Sequence, residues 1–256
     1  MAQILETVLR RDRLVVLAGL GGVTVLAWLY LILLAAGMGD VPGAMANARP
    51  TPWTAGDFAL MVLMWSVMMV GMMLPGATPM ILLFAMVNRQ KREAGHPFVS
   101  TGAFALGYAG AWTAFSLFAT IVQWALHGAA LLSPMLAGTS AVLAGVLFIA
   151  AGAYQLTPLK HACLKNCRSP VHFIMTRWRN GGVGALRMGL EHGAYCVGCC
   201  WFLMGLLFVL GVMNLLWVAA LTILVLVEKA APRGEWTARI GGVAMLAGGL
   251  TLLLLA

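Results

Sequence analysis

Long apolar stretches, most of them free of charged residues, alternate with short polar segments along the chain. Such stretches show no strand-like alternation, and they predict helices that cross a lipid bilayer, which takes about 20 apolar residues per span. We predict an all-α, polytopic transmembrane helical bundle of about seven spans, forming a single integral membrane domain. The predicted spans cover residues 14–38, 58–87, 99–126, 136–157, 190–211, 214–230 and 239–256.

The connections between these spans differ in length. A long polar loop over residues 158–189 joins the fourth span to the fifth, whereas only the turn from Gly211 to Asn214 separates the fifth from the sixth. The second stretch is too long for one straight crossing. Pro75 and Pro79 interrupt its backbone hydrogen bonds, so we expect a kinked or partly protruding helix there.

Composition and charge agree with a membrane protein and give its orientation. The 256 residues are 62% apolar and only 9% charged, against about 25% charged in a soluble domain. Of the 16 Lys and Arg residues, all except Arg49 fall on one side of the predicted spans. Because cytoplasmic connections carry an excess of basic residues, we predict a cytoplasmic N-terminus and an outer C-terminus. The net charge of +8 then indicates the lipid bilayer as a partner and no nucleic acid.

All five cysteines fall within one stretch of fewer than forty residues. Cys163 and Cys167 lie in the predicted cytoplasmic loop, and the other three lie near the cytoplasmic end of the fifth span. Residues four apart share one face of a helix. That spacing predicts a stripe of side chains along one face of the helix, running from the interface into the bilayer. The stripe consists of Met188, His192, Cys196, Cys200 and Met204, and Cys199 lies beside it.

Thiolates and thioethers are the ligands that select Cu(I), and zinc also accepts thiolate and imidazole. A single buried cysteine commonly serves as a small hydrophobe, but three within five residues beside a histidine favour a metal site. We predict copper, or else zinc, as the bound metal. A disulfide is not expected, because cytosolic thiols are kept reduced. The predicted ligands are Cys196, Cys199, Cys200, His192, Cys163, Cys167 and Met204, although the spacing leaves open whether Cys163 and Cys167 share the same site.

Other residues are accessory candidates. Methionines at helical spacing in the second span either fill helix interfaces or offer thioethers to a copper ion; those nearest its middle are Met68, Met69, Met72 and Met73. Met188 extends the stripe. Glu191 either pairs with basic neighbours or tunes the thiols from outside the ligand set. No Gly-rich phosphate loop follows a strand, and the histidines are poorly placed to pair, so neither nucleotide nor haem is expected.

At these residues the sequence resembles a family of bacterial integral membrane proteins predicted to bind metal, a domain of unknown function with a Cys-x-Gly-Cys-Cys-Trp motif. The string from Tyr195 to Trp201 carries the resemblance most specifically. Further matches are Pro158-Leu159-Lys160, Arg177-Trp178-Arg179, Glu228-Lys229 and the Met/Pro-rich second span. The resemblance covers about residues 53–229. It implies metal binding and a multi-pass location in the bacterial inner membrane.

Three functions fit these features. The first is a metal-handling membrane protein that transports Cu(I) or delivers it to a partner metalloprotein. The second is a membrane oxidoreductase that uses the thiols or a bound metal, since neighbouring thiols can cycle through a disulfide. The third is a non-catalytic assembly factor or subunit of a membrane complex. The convergence of thiols with nearby methionines favours the first.

Overall fold

The computed structural model describes residues 2–39, 53–93, 95, 99–129 and 140–256. These residues form helices and no strand, which confirms the all-α prediction. The helices are α1 (Ala2–Gly39), α2 (Ala55–Glu93), α3 (Thr101–Gly128), α4 (Ala141–Gln155), α5 (Pro158–Arg168), α6 (Pro170–Arg177), α7 (Gly181–Gly205), α8 (Leu207–Leu210), α9 (Leu215–Ala230) and α10 (Gly234–Leu254).

Five stretches in the described part of the chain are long and apolar enough to cross a membrane: Arg13–Gly37, Ala55–Glu93, Thr101–Gly128, Gly181–Leu210 and Gly234–Leu254. A sixth crossing arises if α4 and α5, which meet at 63°, count as one broken span. The sixth predicted span corresponds to α9, which has 16 residues and is short for a bilayer. The polytopic helical class is confirmed, and the count of seven with its orientation remains a prediction.

Local sequence signals explain where several helices begin. Thr54 and Asp57 cap α2 reciprocally, because each side chain accepts the other residue's backbone N–H. The hydroxyl of Thr157 caps α5 by accepting the N–H of Lys160, and Pro158 occupies the first turn, where its missing N–H costs nothing. Gly211 adopts φ 91°, a conformation that favours glycine, in the predicted turn before α9.

One predicted feature looks different in the structure, and another is left open by it. The connection over residues 158–189 is largely helical, since it contains α5, α6 and the first turns of α7. Pro75 and Pro79 both lie inside α2, which is continuous over 39 residues, and the expected kink or protrusion there stays a prediction. Part of the fourth predicted span, residues 136–139, lies outside the described residues.

Close backbone contact joins α3 to α7. A Cβ added at Gly107 would lie 2.0 Å from the carbonyl oxygen of Leu186, and one at Gly189 would lie 2.0 Å from that of Phe104. Gly193, one turn further on, faces Ala111 in the same way. Small residues of this kind let membrane helices approach closely, and here they set α3 against the cysteine-bearing face of α7.

Apolar side chains divide between an interior and an outer surface. The interior includes Trp65, Trp112 and the methionines of α2, which are at most 2% exposed from Met64 to Met80. The outer surface carries large apolar side chains such as Leu14, Leu106 and Ile240, each more than 60% exposed. Apolar side chains that face outward in this way suit a hydrocarbon environment rather than water.

Candidate metal centre

Five cysteines from two helices meet at one place in the fold. Cys196, Cys199 and Cys200 lie on the buried face of α7 and are 1–2% exposed. Helix α5 packs against this face and brings Cys163 and Cys167 to it. The Cys167 side chain is partly buried and packs against the cluster that contains Cys196, Cys199 and Cys200. All five thiols are free.

The glycine of the Cys-Val-Gly-Cys-Cys string allows this approach of α5. A Cβ added at Gly198 would lie 2.9 Å from the sulfur of Cys163. The carbonyl oxygen of Gly198 also accepts a hydrogen bond from the hydroxyl of Tyr154 in α4. Because Gly198 has no side chain, Cys163 can pack against α7, and the Gly198 carbonyl oxygen provides a hydrogen bond that joins α4 to α7.

The sulfur of Cys196 has the most polar surroundings of the five. The ammonium of Lys229, from α9, lies 2.8 Å from it. The hydroxyl of Tyr108, from α3, lies 3.0 Å from it and 3.1 Å from the backbone oxygen of Met73 in α2. The Met73 thioether sulfur is 3.9 Å from the same ammonium. Groups from α3 and α9 thus contact this thiol of α7, and Met73 of α2 contacts both of those groups.

Two further hydrogen bonds order the α7 thiols. The thiols of Cys199 and Cys200 each donate to the backbone oxygen of Cys196, both at 3.1 Å. Such bonds to the preceding turn are weak but directional, and they hold the two sulfurs on the same side of α7 as Cys196.

A buried ion pair joins α5 to α9 and holds α5 in place. Lys160 and Glu228 approach to 2.7 Å with both side chains at most 1% exposed. Gln155 donates to the other carboxylate oxygen at 2.8 Å. Arg168, at the far end of α5, donates to the backbone oxygens of Ala231 and Pro232. Because these contacts tie both ends of α5 to the end of α9, they fix where Cys163 and Cys167 lie.

The remaining residues of the predicted stripe are buried on the same face of α7. His192 packs its ring against Phe104, Tyr108 and Phe173, and its Nδ1 has no hydrogen-bond partner among the described residues. Met188 and Met204 are fully buried, and the Met188 sulfur accepts the backbone N–H of Arg179 at 3.2 Å.

Glu191, the predicted accessory residue, pairs with basic neighbours. Its carboxylate lies 2.9 Å from the guanidinium of Arg179 and 3.9 Å from that of Arg187. These contacts correspond to the simpler of its two predicted roles.

The accessory methionines of α2 are buried in the same interior. Met68, Met69, Met72 and Met73 are at most 2% exposed. Met73 alone of these four has a described contact with the polar groups around Cys196. Its placement makes it the α2 thioether best positioned to join a ligand set there.

In the part of the chain that the structure describes, no three Cys, His, Asp or Glu side chains are disposed to hold one metal ion together. What the fold does bring together is a group of thiols with one thioether, one ammonium and one phenol. Pairs of soft sulfur ligands of this kind suit a monovalent soft ion.

Two residues beside Cys196 were not among the predicted site residues. Tyr108 comes from α3 and lies 88 positions from Cys196 in the sequence, and Lys229 was interpreted as one of the basic residues that set orientation. A signal was available for Lys229, because an ionisable residue at the edge of a predicted span is a functional candidate. For Tyr108 the only signal was its neighbour Gly107, a small residue suited to a close helix contact.

Comparison with known proteins yields one family. No curated protein and no solved structure matches the chain. A family described as PpoB2, copper chaperone, matches residues 62–252. That range contains all five cysteines together with Met73, Tyr108 and Lys229. Since it is well over half of the sequence, the chain belongs to the PpoB2 copper chaperone family, a copper-handling family.

Proposed function

We propose that this protein is a membrane-embedded chaperone that holds Cu(I) on the thiols of α5 and α7 and delivers it to a partner metalloprotein. The observation that carries the proposal is the convergence of Cys163 and Cys167 on Cys196, Cys199 and Cys200. Soft sulfur donors bind Cu(I) in preference to hard cations. Membership of the copper chaperone family indicates copper as the metal, and the thiols are the ligands that we propose for it.

The location of the thiols favours a protein that binds copper and passes it on over one that keeps copper as a permanent cofactor. Cys163 and Cys167 are partly exposed, while the three α7 cysteines are buried. An incoming ion can therefore meet the α5 thiols first and pass to the buried ones by exchange of sulfur ligands. The proposal places the protein in the bacterial cytoplasmic membrane with the thiols at its cytoplasmic side, where basic residues concentrate.

A transport role is the second candidate, and the buried thioethers of α2 favour it. Met61, Met64, Met68 and Met72 recur at helical spacing, and the last three are at most 2% exposed. The eleven-residue separation from Met61 to Met72 corresponds to about 17 Å along a helix. Thioethers spaced in this way could pass Cu(I) from the thiols toward the other end of α2.

The first experiment measures copper in the purified protein. The wild type and a Cys196/Cys199/Cys200→Ser variant are purified in detergent under anaerobic, reducing conditions after growth with copper, and the copper per chain is measured. Near-stoichiometric copper in the wild type that disappears in the variant supports the proposal. Equal copper in both proteins, or none in either, contradicts it.

A second experiment separates delivery from transport. The copper-loaded protein is reconstituted in vesicles, and a membrane-impermeant Cu(I) chelator is placed inside or outside. Removal of copper by the chelator from one face alone, with no copper crossing, supports delivery. Copper that accumulates on the opposite side, and ceases to do so when Met64, Met68 and Met72 are replaced by Leu, supports transport instead.

A further inference from the structure

The charges around the thiols do not balance among themselves. Lys160 and Glu228 neutralise each other at 2.7 Å. Lys229, the residue next to Glu228, carries a second ammonium. Within the described part of the chain, no ion pair joins Lys229 to a carboxylate. Its contacts are with sulfur: Cys196 at 2.8 Å and Met73 at 3.9 Å.

The packing of α2 and α9 holds this ammonium against Cys196. The lysine stem crosses α2 at Gly76, where an added Cβ would lie 3.3 Å from the lysine Cδ. A side chain at that position would crowd the stem, so Gly76 leaves the route open. The lysine head then reaches Cys196 from α9, while Tyr108 approaches the same sulfur from α3. Among the residues that the structure describes, this ammonium lies against a thiol and pairs with no carboxylate.

The chemistry of Cu(I) explains why such a cation is useful. When one cuprous ion binds two thiolates, whose protons leave to the solvent, the complex carries one net negative charge. Burying an uncompensated charge is costly, and an adjacent opposite charge offsets that cost. A divalent ion on the same two thiolates gives a neutral complex, which gains nothing comparable from a neighbouring ammonium.

We infer that Lys229 is the counter-ion of a cuprous bis-thiolate formed by Cys196 and Cys167, and that it favours monovalent copper over divalent zinc. Cys167 is the second thiolate because α5 packs against α7 and its Cys167 side chain lies against the buried cluster that contains Cys196. Lys229 is a positioning and selectivity residue, because it acts on the ion through the sulfur and is not a ligand. The inference rests on the proposed copper-binding function and identifies the charge of the complex that the site accepts.

The test compares Cu(I) and Zn(II) binding in matched variants. Lys229→Leu and Lys229→Gln remove the charge, Lys229→Arg keeps it, and Lys165→Leu removes an exposed lysine from α5 as a control. Cu(I) affinity is measured by competition with bicinchoninate, and Zn(II) affinity by competition with a chromophoric chelator. The number of sulfur ligands per copper is measured by X-ray absorption. Helicity and monodispersity in detergent show which variants are folded.

The expected result is a loss of selectivity. Lys229→Leu and Lys229→Gln should bind Cu(I) about tenfold or more weakly, as removal of a hydrogen bond to a charged group predicts. Their Zn(II) affinity should be unchanged. Lys229→Arg and Lys165→Leu should stay within about threefold of the wild type for Cu(I). Wild-type copper should have two short sulfur ligands.

Several outcomes overturn the inference. Equal Cu(I) affinity in the wild type and in a folded charge-removing variant shows that the ammonium is not a counter-ion. Parallel losses of Cu(I) and Zn(II) affinity indicate a general structural role, and an equal loss in Lys229→Arg shows that charge is not what matters. A wild-type protein that binds no Cu(I) overturns the proposed function as well, whereas the other outcomes leave it standing.

Discussion

The ammonium of Lys160 lies 2.7 Å from the carboxylate of Glu228, and the two side chains are 0% and 1% exposed. Removal of one partner leaves a buried charge without a counter-ion, at a cost of about 3–5 kcal/mol, whereas replacing both partners by apolar residues avoids most of that cost. Lys160→Leu should therefore lower the unfolding temperature in detergent strongly. The double variant Lys160→Leu/Glu228→Leu should recover much of the loss.

An exposed pair provides the control for this prediction. Arg89 and Glu93 are four residues apart on α2, and the Glu93 side chain is 52% exposed. Glu93→Gln should change the free energy of unfolding by only about 0.5 kcal/mol. If Lys160→Leu proves as mild as Glu93→Gln, the buried pair does not hold α5 in place.

The α3–α7 contact should be intolerant of a single methyl group. In Gly189→Ala the new Cβ would meet the carbonyl oxygen of Phe104 at 2.0 Å, so the helix backbones must separate. Overpacking that forces backbone to move costs about 1–3 kcal/mol and occasionally more. We expect a lower unfolding temperature and weaker copper binding, because Tyr108 would move away from Cys196.

Gly110→Ala is the matched control for that substitution. Gly110 lies on the same α3 helix, but its added Cβ would come no closer than 4.0 Å to the Leu190 side chain. Ala is also the better helix former, so this variant should be as stable as the wild type or slightly more so. A Gly189→Ala variant as stable as Gly110→Ala would mean that α3 and α7 do not touch at Gly189.

The five thiols should differ in their rates of alkylation. Cys163 and Cys167 are partly exposed, whereas Cys196, Cys199 and Cys200 are 1–2% exposed. In the reduced, metal-free protein a polar maleimide should label the α5 cysteines first, as peptide mass spectrometry after timed quenching can measure. Prior loading with Cu(I) should slow labelling of Cys167 and Cys196. Uniform labelling of all five would contradict the packing of α5 on α7.

Met73 should affect copper binding more than other buried methionines of α2 do. Met73 and Met80 are 1% and 2% exposed, but only Met73 has a described contact near Cys196, through Lys229. Met-to-Leu exchange nearly conserves volume and costs little stability. Met73→Leu should weaken Cu(I) binding several-fold in chelator competition, and Met80→Leu should leave it unchanged. Identical affinities would assign Met73 to packing alone.

The sequence predicted the helical class and the cysteine stripe because both depend on local periodicity. The spacing of His192, Cys196 and Cys200 is one helical turn each, and all three lie on the buried face of α7. The helical content of residues 158–189 was missed because polar, basic composition hides the short helices α5 and α6, which are amphipathic rather than apolar.

The residues that contact Cys196 could not be predicted from local sequence patterns. Tyr108 meets that sulfur only because glycines at 107, 189 and 193 bring α3 against α7. Lys229 meets it because α9 packs against α2 and α7, while Glu228, one residue earlier, pairs with Lys160. Pairings of this kind depend on which helices pack together, and the spacing of residues along one helix does not contain that information.

The position of Lys229 late in the chain has a consequence for biosynthesis. All five cysteines are translated before α9, so a nascent chain that ends at Gly205 carries every thiol but lacks the ammonium that lies against Cys196. Until α9 has been made and has packed in place, the thiols lack their cation and α5 lacks its anchor at Glu228. If Lys229 is the counter-ion of the bound copper, tight binding of Cu(I) then requires α9, and the site reaches its full preference for copper only late in synthesis.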